Sequence, residues 1–292
     1  MKLNAYESVS GPKLKKSPVK FRSLINNSAV ILFILLTVAS DFSCSDRAHR
    51  ARIIQTSRNG DKLAEIKTLS FSPSESSLPR ITLKPEKRYQ SIVGFGGSFT
   101  ESSAHVLSGL SEEKREQVID AYFSPEGAWY TLTRTHMGSC DFSLSNYTYA
   151  PVEGDTGLSR FSIEEDRDDL IPLIRDAMSV KGANFKIVSS AWTAPPWMKD
   201  NNDWNGGSLL PEYYDTWALH FCRYIEEYRK EGIPIWGVTT LNEPLGNSAQ
   251  WESMIFTPGE MAGFIKNNLG PKFESENIDA RILIYDQNRD HL

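Results

Sequence analysis

The 292-residue chain is 40% hydrophobic and 11% aromatic, enough apolar surface for one large domain or two small ones and too much for a disordered chain. Six Lys and Arg residues and one acid, Glu7, precede Ser40, whereas the remainder carries 26 basic and 36 acidic residues, a net charge of −10. That balance opposes attraction to phosphate backbones and anionic membrane surfaces, so nucleic acid is not an expected partner.

The first residues read as an address. Lys13, Lys15, Lys16, Lys20 and Arg22 form a basic flank, Ala29–Ala39 is a short apolar run, and small and polar residues follow from Ser40 to Ser45. The run is too short to span a bilayer core, so residues 1–44 are read as a signal peptide and N-terminal segment, and the protein as secreted or exported. The length of the basic flank leaves a retained membrane anchor open, and Cys44 leaves a lipoprotein open. Cys44, Cys140 and Cys222 lie far apart with no C-x-x-C, and the five histidines show no ligand spacing, so neither a metal nor a cofactor is expected. Asn146-Tyr147-Thr148 matches a glycosylation acceptor pattern.

Residues 45–93 read as a linker with strands. The stretch to about Leu78 is polar, with one strand near Leu63–Phe71. Arg80–Val93 alternates around Pro85 and predicts a hairpin-like pair. From Gly94 to Leu292 strands and helices alternate. Gly94-Phe95-Gly96-Gly97-Ser98-Phe99 does not match the dinucleotide fingerprint; its glycines suit a strand closely approached by another backbone, with a helix from about Thr100, or a simple turn. Ser111 precedes a helix bearing Val118, Ile119 and Tyr122, and Tyr130–His136 is a strand. Ser162–Glu165 reads as a capping box for a helix with Leu170, Ile174, Ala177 and Met178, followed by a strand at Phe185–Trp192. Tyr213–Tyr228 places Trp217, Phe221, Ile225 and Tyr228 on one helical stripe, and Ile235–Leu241 is a buried strand. Thr257–Glu260 opens a helix ending at Gly270-Pro271, and Arg281–Tyr285 is one more strand.

This rhythm fits a doubly wound sheet or an eight-stranded barrel. Strand starts recur about every 45 residues, so a barrel would need roughly 370 residues, and the chain reads as about five of eight strands. In a barrel the carboxyl ends of the strands face the active site. Thr240-Leu241-Asn242-Glu243-Pro244 puts a glutamate there, beside a polar asparagine. Glycoside hydrolysis with retention needs two carboxylates about 5 to 5.5 Å apart, and a glutamate beside a second carboxylate retains the proton a leaving oxygen needs. Trp192-Thr193-Ala194-Pro195-Pro196-Trp197 supplies flat faces at another strand end, and Arg134 and Asp141 lie at the end of a third. Singly, each has a plainer role: Trp192 and Trp197 in the core, Asp141 capping a turn, Arg134 in an ion pair. Glu101, Glu252 and Asp286, also near strand ends, read as solvated or structural.

Together G-F-G-G-S-F-T from Gly94, R-T-H-M-G-S-C-D-F-S from Arg134, S-A-W-T-A-P-P-W-M-K from Ser190 and T-L-N-E-P from Thr240 resemble glycoside hydrolase family 30, most closely its glucosylceramidase branch. The resemblance covers about Ile81 to Leu292. It implies a retaining β-glycosidase on a TIM barrel with a side β-sandwich, here an incomplete barrel preceded by a strand segment of that sandwich. It implies Glu243 as acid/base, Asn242 on the sugar 2-hydroxyl, Asp141 and Trp192 on glucose hydroxyls, and Arg134 near the nucleophile. The family's nucleophile is a second glutamate on a seventh strand, and no residue here matches it. The expected partner is a β-glucoside, glucosylceramide or a β-1,6-glucan. The chain alone is expected to be poorly folded or inactive, a carbohydrate-binding fragment by default.

Overall fold

A computed structural model describes residues 50–70 and 77–289, and the chain divides into two units, residues 1–87 and 88–292. The basic flank, the apolar run and Cys44 lie outside the described residues. In the first unit β1 (Arg50–Gln55) pairs antiparallel with β2 (Ala64–Ser70), with a register shift between Ile53 and Ile54. β2 falls where a strand was expected. β1 lies in the stretch read as linker, where Arg50 and Arg52 alternate with the half-buried Ala51 and Ile53 over too few residues to stand out. The hairpin expected over Arg80–Val93 does not form. Pro85 instead sits second in a tight turn closed by the Lys87 N–H on the Lys84 carbonyl (2.9 Å), the position its fixed φ favours.

The second unit is built on five parallel strands: β3 (Ser98–Phe99), β4 (Leu132–Met137), β5 (Lys186–Ala191), β6 (Gly237–Thr239) and β7 (Arg281–Leu283). Their order in the sheet is their order in the chain. A doubly wound sheet reverses direction at a switch point, so an unreversed succession is the wall of an α/β barrel, five strands of it. β6 is shorter than the apolar run Ile235–Leu241 predicts, because its pairing with β5 and β7 spans only Gly237, Val238 and Thr239.

The glycines before β3 are there for close approach. The Phe95 carbonyl accepts from the N–H groups of Thr131 (2.9 Å) and Leu132 (3.2 Å), and a Cβ on Gly96 would overlap the Leu132 carbonyl. α1 (Glu101–Ser108) follows, its N-cap Thr100 accepting from the Ser103 N–H (3.2 Å).

Helices then alternate with strands. α2 (Glu112–Phe123) buries Ile119 and Phe123. The helix expected after Ser162 is split at Asp169 into α3 (Glu164–Asp168) and α4 (Leu170–Ser179), and the Ser162 hydroxyl accepts from the Glu164 N–H rather than completing a capping box. α5 (Tyr214–Lys230) buries all four residues of its predicted stripe in the core. α6 (Pro258–Phe264) opens with the predicted capping box at Thr257 and Glu260. It does not end at Gly270-Pro271. A π turn over Ile265–Leu269 leads into α7 (Gly270–Ser275), the wider turn giving room to a proline that has no N–H to bond and whose ring would crowd a regular helix.

Candidate active site

Side-chain alternation and register bring the strand ends together. In β4 the residues Thr133, Thr135 and Met137 share one buried face, which leaves Arg134 and His136 on the other. Ser190 of β5 is level with Thr239 of β6, and Thr239 with Leu283 of β7, so inward-facing groups of three strands form a row.

Asp286, three residues past β7, gathers that row. One of its oxygens, Oδ2, accepts from Arg134 Nη2 (2.8 Å), Ser190 Oγ (2.9 Å) and Thr239 Oγ1 (2.7 Å). The same Arg134 Nη2 donates to Asn242 Oδ1 (2.8 Å), and Arg134 Nε donates to Ser190 Oγ (3.1 Å). The guanidinium lies 4.6 Å from the ring centroid of the buried Trp192, a cation–π distance. Arg134, Asn242 and Trp192, picked out on three separate strand ends, therefore make direct contact.

Glu243 stands beside them. Its backbone N–H donates to the Asp286 carbonyl (2.8 Å) and its Oε1 accepts from Asn288 Nδ2 (2.9 Å). Its φ of 45° is left-handed, unusual for a residue with a Cβ, so the carboxylate leaves the plain strand alternation. Asp141 is different. It is exposed in the turn after β4, and among the described residues no hydrogen bond ties it to the cluster. Its neighbours Cys140 and Phe142 do line one cavity of about 210 Å³ with Arg134 and Trp192, which places the turn at the rim.

That turn is fixed from α1. The Phe142 carbonyl accepts from both the Ser102 N–H (2.9 Å) and the Ser102 hydroxyl (2.6 Å), and Glu101 Oε2 accepts from the Leu144 N–H (3.1 Å). The Glu101 N–H donates to His136 Nε2 (3.1 Å), so the histidine carries its proton on Nδ1, which donates to the Gly138 carbonyl (2.8 Å). Burial holds His136 below its ordinary pKa and so neutral. Glu252, also read as solvated or structural, is buried and accepts from Asn146 Nδ2 (2.6 Å), joining the loops after β4 and β6. Asp286, read from the sequence as solvated or structural, is structural, and its part in joining Arg134, Ser190 and Thr239 was not read, since these partners lie 47 to 152 residues away and only the barrel register brings them together. Among the described residues no three His, Cys, Asp or Glu side chains converge as a metal site would require.

Residues 92–292 match the family model described as the glycosyl hydrolase family 30 TIM-barrel domain. The lysosomal acid glucosylceramidase of Mus musculus is 37% identical over 218 residues, 72% of this chain and 42% of that protein. Putative glucosylceramidase 4 of Caenorhabditis elegans is 32% identical over 254 residues, 83% of this chain and 49% of its own length. An endo-1,6-beta-D-glucanase of Neurospora crassa is 29% identical over 228 residues, 75% and 47% of the two chains. Among solved structures, SrfJ from Salmonella typhimurium superposes with a TM-score of 0.75 at 34% identity, over 84% of this chain and 55% of that one. The chain thus spans about half the length of the curated relatives it matches.

Proposed function

The chain belongs to glycosyl hydrolase family 30, and from that premise we propose that the rim above β4–β7 is the acid/base and sugar-binding part of a retaining β-glucosidase site. The observation that carries the reading is the single guanidinium of Arg134, which binds Asn242, binds Asp286 and covers Trp192 at once. It gathers a planar amide and an indole at the strand ends, with Glu243 next in sequence to Asn242, groups suited to seating a pyranose and protonating its leaving oxygen.

In this reading Asn242, held by Arg134, takes the 2-hydroxyl, and Asp141 and Trp192 take other glucose hydroxyls. Glu243 protonates the glycosidic oxygen as the anomeric carbon is attacked, then removes a proton from the water that releases the sugar. Asp286 is committed to three donors through one oxygen, so we assign it to holding Arg134 and not to attack. The attacking carboxylate is a glutamate on a further strand, as the family pattern implies; no such group faces Glu243 among the described residues. The substrate is a β-glucoside, and the relatives point to a glucosylceramide or a β-1,6-glucan. We also propose that the protein is exported.

One observation favours a second reading, sugar binding without turnover: among the described residues no second glutamate faces Glu243 at the site, while Asp141, Trp192 and Asn242 remain as sugar ligands. The test is hydrolysis of an alkyl β-glucoside by the 292-residue chain and by its Glu243→Ala variant, with the released anomer followed by NMR. A working site releases β-glucose first, and loss of the acid/base slows it by about 10² to 10⁴-fold. Binding of a glucose-mimicking iminosugar with no release supports the second reading. Release of α-glucose first, or full activity in Glu243→Ala, overturns the first.

A further inference from the structure

Lys199 is buried, 3% exposed, and lies just after the single turn Pro196–Met198 in the loop leaving β5. Its Nζ reaches four oxygens: Thr193 Oγ1 (2.8 Å) and the carbonyls of Gly206 (2.6 Å), Ser253 (3.0 Å) and Trp204 (3.2 Å). An ammonium has three N–H donors and accepts nothing, so the shell is oversupplied with acceptors. Three of them are backbone carbonyls, the donor set that elsewhere replaces the hydration shell of a bare monovalent cation.

The carbonyls belong to two loops. Trp204 and Gly206 lie between β5 and α5, and Ser253 lies between β6 and α6. Around the ammonium the loops bond directly, Ser253 N–H to the Trp204 carbonyl (3.2 Å), Gly206 N–H to Ser253 Oγ (3.0 Å) and Ile255 N–H to the Gly207 carbonyl (2.8 Å). Gly206 and Gly207 both have left-handed φ, 64° and 70°, which aims this turn at the lysine. The first loop starts at Trp192 and Thr193, and the second, which leaves β6 after Thr239, carries Asn242 and Glu243.

We propose that Lys199 is a positioning residue whose ammonium acts as a captive cation, latching the loop that begins at Trp192 to the loop that carries Glu243. Its bearing on sugar chemistry rests on the function proposed above; the latch itself does not. Asp200 and Asp203, on its own loop, favour its charge from a distance, but each carboxylate accepts a backbone N–H, from Ser208 (2.8 Å) and Asn205 (3.0 Å). On the other loop the neighbouring titratable group, Glu252, is engaged with Asn146. Among the described residues Lys199 forms no ion pair. Burial brings its pKa down to about 8, so the latch proton is lost in a range where an ordinary lysine keeps it.

Hydrogen exchange on the full chain without substrate tests this, with rates corrected for intrinsic base catalysis, from pH 6.5 to 9.5. Lys199→Met is expected to lose protection by about tenfold in residues 193–209 and 244–256 together and to leave α5 unchanged. The wild type should approach that pattern as pH passes about 8. In Lys199→Ala, methylammonium should restore both loops at once. Unchanged exchange in Lys199→Met, loss confined to one loop, or a wild type flat across the range would overturn the proposal. If neither variant folds, the wild-type pH series decides. A chain that shows this exchange pattern and neither binds a glucose-mimicking iminosugar nor hydrolyses a β-glucoside overturns the functional reading and leaves the latch standing.

Discussion

Asp286→Ala tests the organisation of the site most directly. The substitution removes the acceptor of three hydrogen bonds, from Arg134, Ser190 and Thr239. The Arg134 and Asp286 side chains are 30% and 23% exposed, so water compensates in part and each bond is discounted toward the neutral value. At about 1 kcal/mol apiece the loss is about 3 kcal/mol, which lowers a urea midpoint by about 1 M. The local consequence exceeds the global one. A guanidinium released from Asp286 no longer holds Asn242 and Trp192 in one geometry, and binding of a glucose-mimicking iminosugar should weaken by about 100-fold. A double-mutant cycle with Arg134→Lys separates the two effects, because lysine has one point charge and cannot fork. Coupling of about 1–2 kcal/mol is expected for residues in contact. Asp286→Ala within about 0.5 kcal/mol of wild type, with iminosugar affinity intact, would refute the hub.

Other consequences follow from the same physics. Gly96→Ala drives a methyl into the Leu132 carbonyl, and the backbone must yield; a loss of about 3 kcal/mol, or insoluble expression, is expected against a neutral Gly259→Ala control in open space. Asp166 is buried under the hydroxyls of Tyr147, Tyr149 and Tyr228, and desolvation raises its pKa from 3.8 to about 6 while those hydrogen bonds oppose the rise. The folded state therefore binds this proton more tightly than the unfolded chain. The contribution is complete below about pH 4 and is lost as pH rises through 6, amounting to about 3 kcal/mol, and Asp166→Asn should flatten urea stability across that window. Burial pushes the thiols of Cys140 and Cys222 up to about 12, so neither should react with a disulfide reagent at pH 8 until the protein unfolds.

How much of this was legible depends on the range of the interaction. The α5 stripe and the Thr257 capping box are written within one or two turns of chain, and both stand as read. The turn glycines near Gly96 were legible as close approach because no side chain fits there. The end of α6 was not, since Gly-Pro is a stop signal locally and only the π turn lets the helix continue into α7. The partners of Asp286 and Lys199 were illegible for a different reason. An aspartate near the end of a short strand and a lysine in a polar loop look solvated until three other strands or a second loop close on them. The convergence of Arg134, Trp192 and Asn242 could be inferred from their shared place at strand ends. Which contacts which could not.

The strain at the rim ties these observations together. β6 and β7 pair over three residues each, and just beyond them Glu243 and Tyr285 both take left-handed φ, 45° and 67°. Such conformations cost a residue with a Cβ about 1–2 kcal/mol, and glycine would adopt them freely. The fold holds Glu243 there with two short backbone bonds, its N–H to the Asp286 carbonyl (2.8 Å) and its carbonyl to the Gly246 N–H (2.7 Å). Asp286 thus acts twice, its side chain fixing Arg134 and its main chain fixing Glu243. Ala249 and Tyr285 take the same conformation without a carboxylate, so the strain at Glu243 fixes the direction in which its side chain leaves the backbone and does not by itself assign its role. The same aspartate that orients the proposed sugar-binding groups also determines where the Glu243 carboxylate starts, so the proposed acid and the proposed 2-hydroxyl ligand move as one unit or not at all.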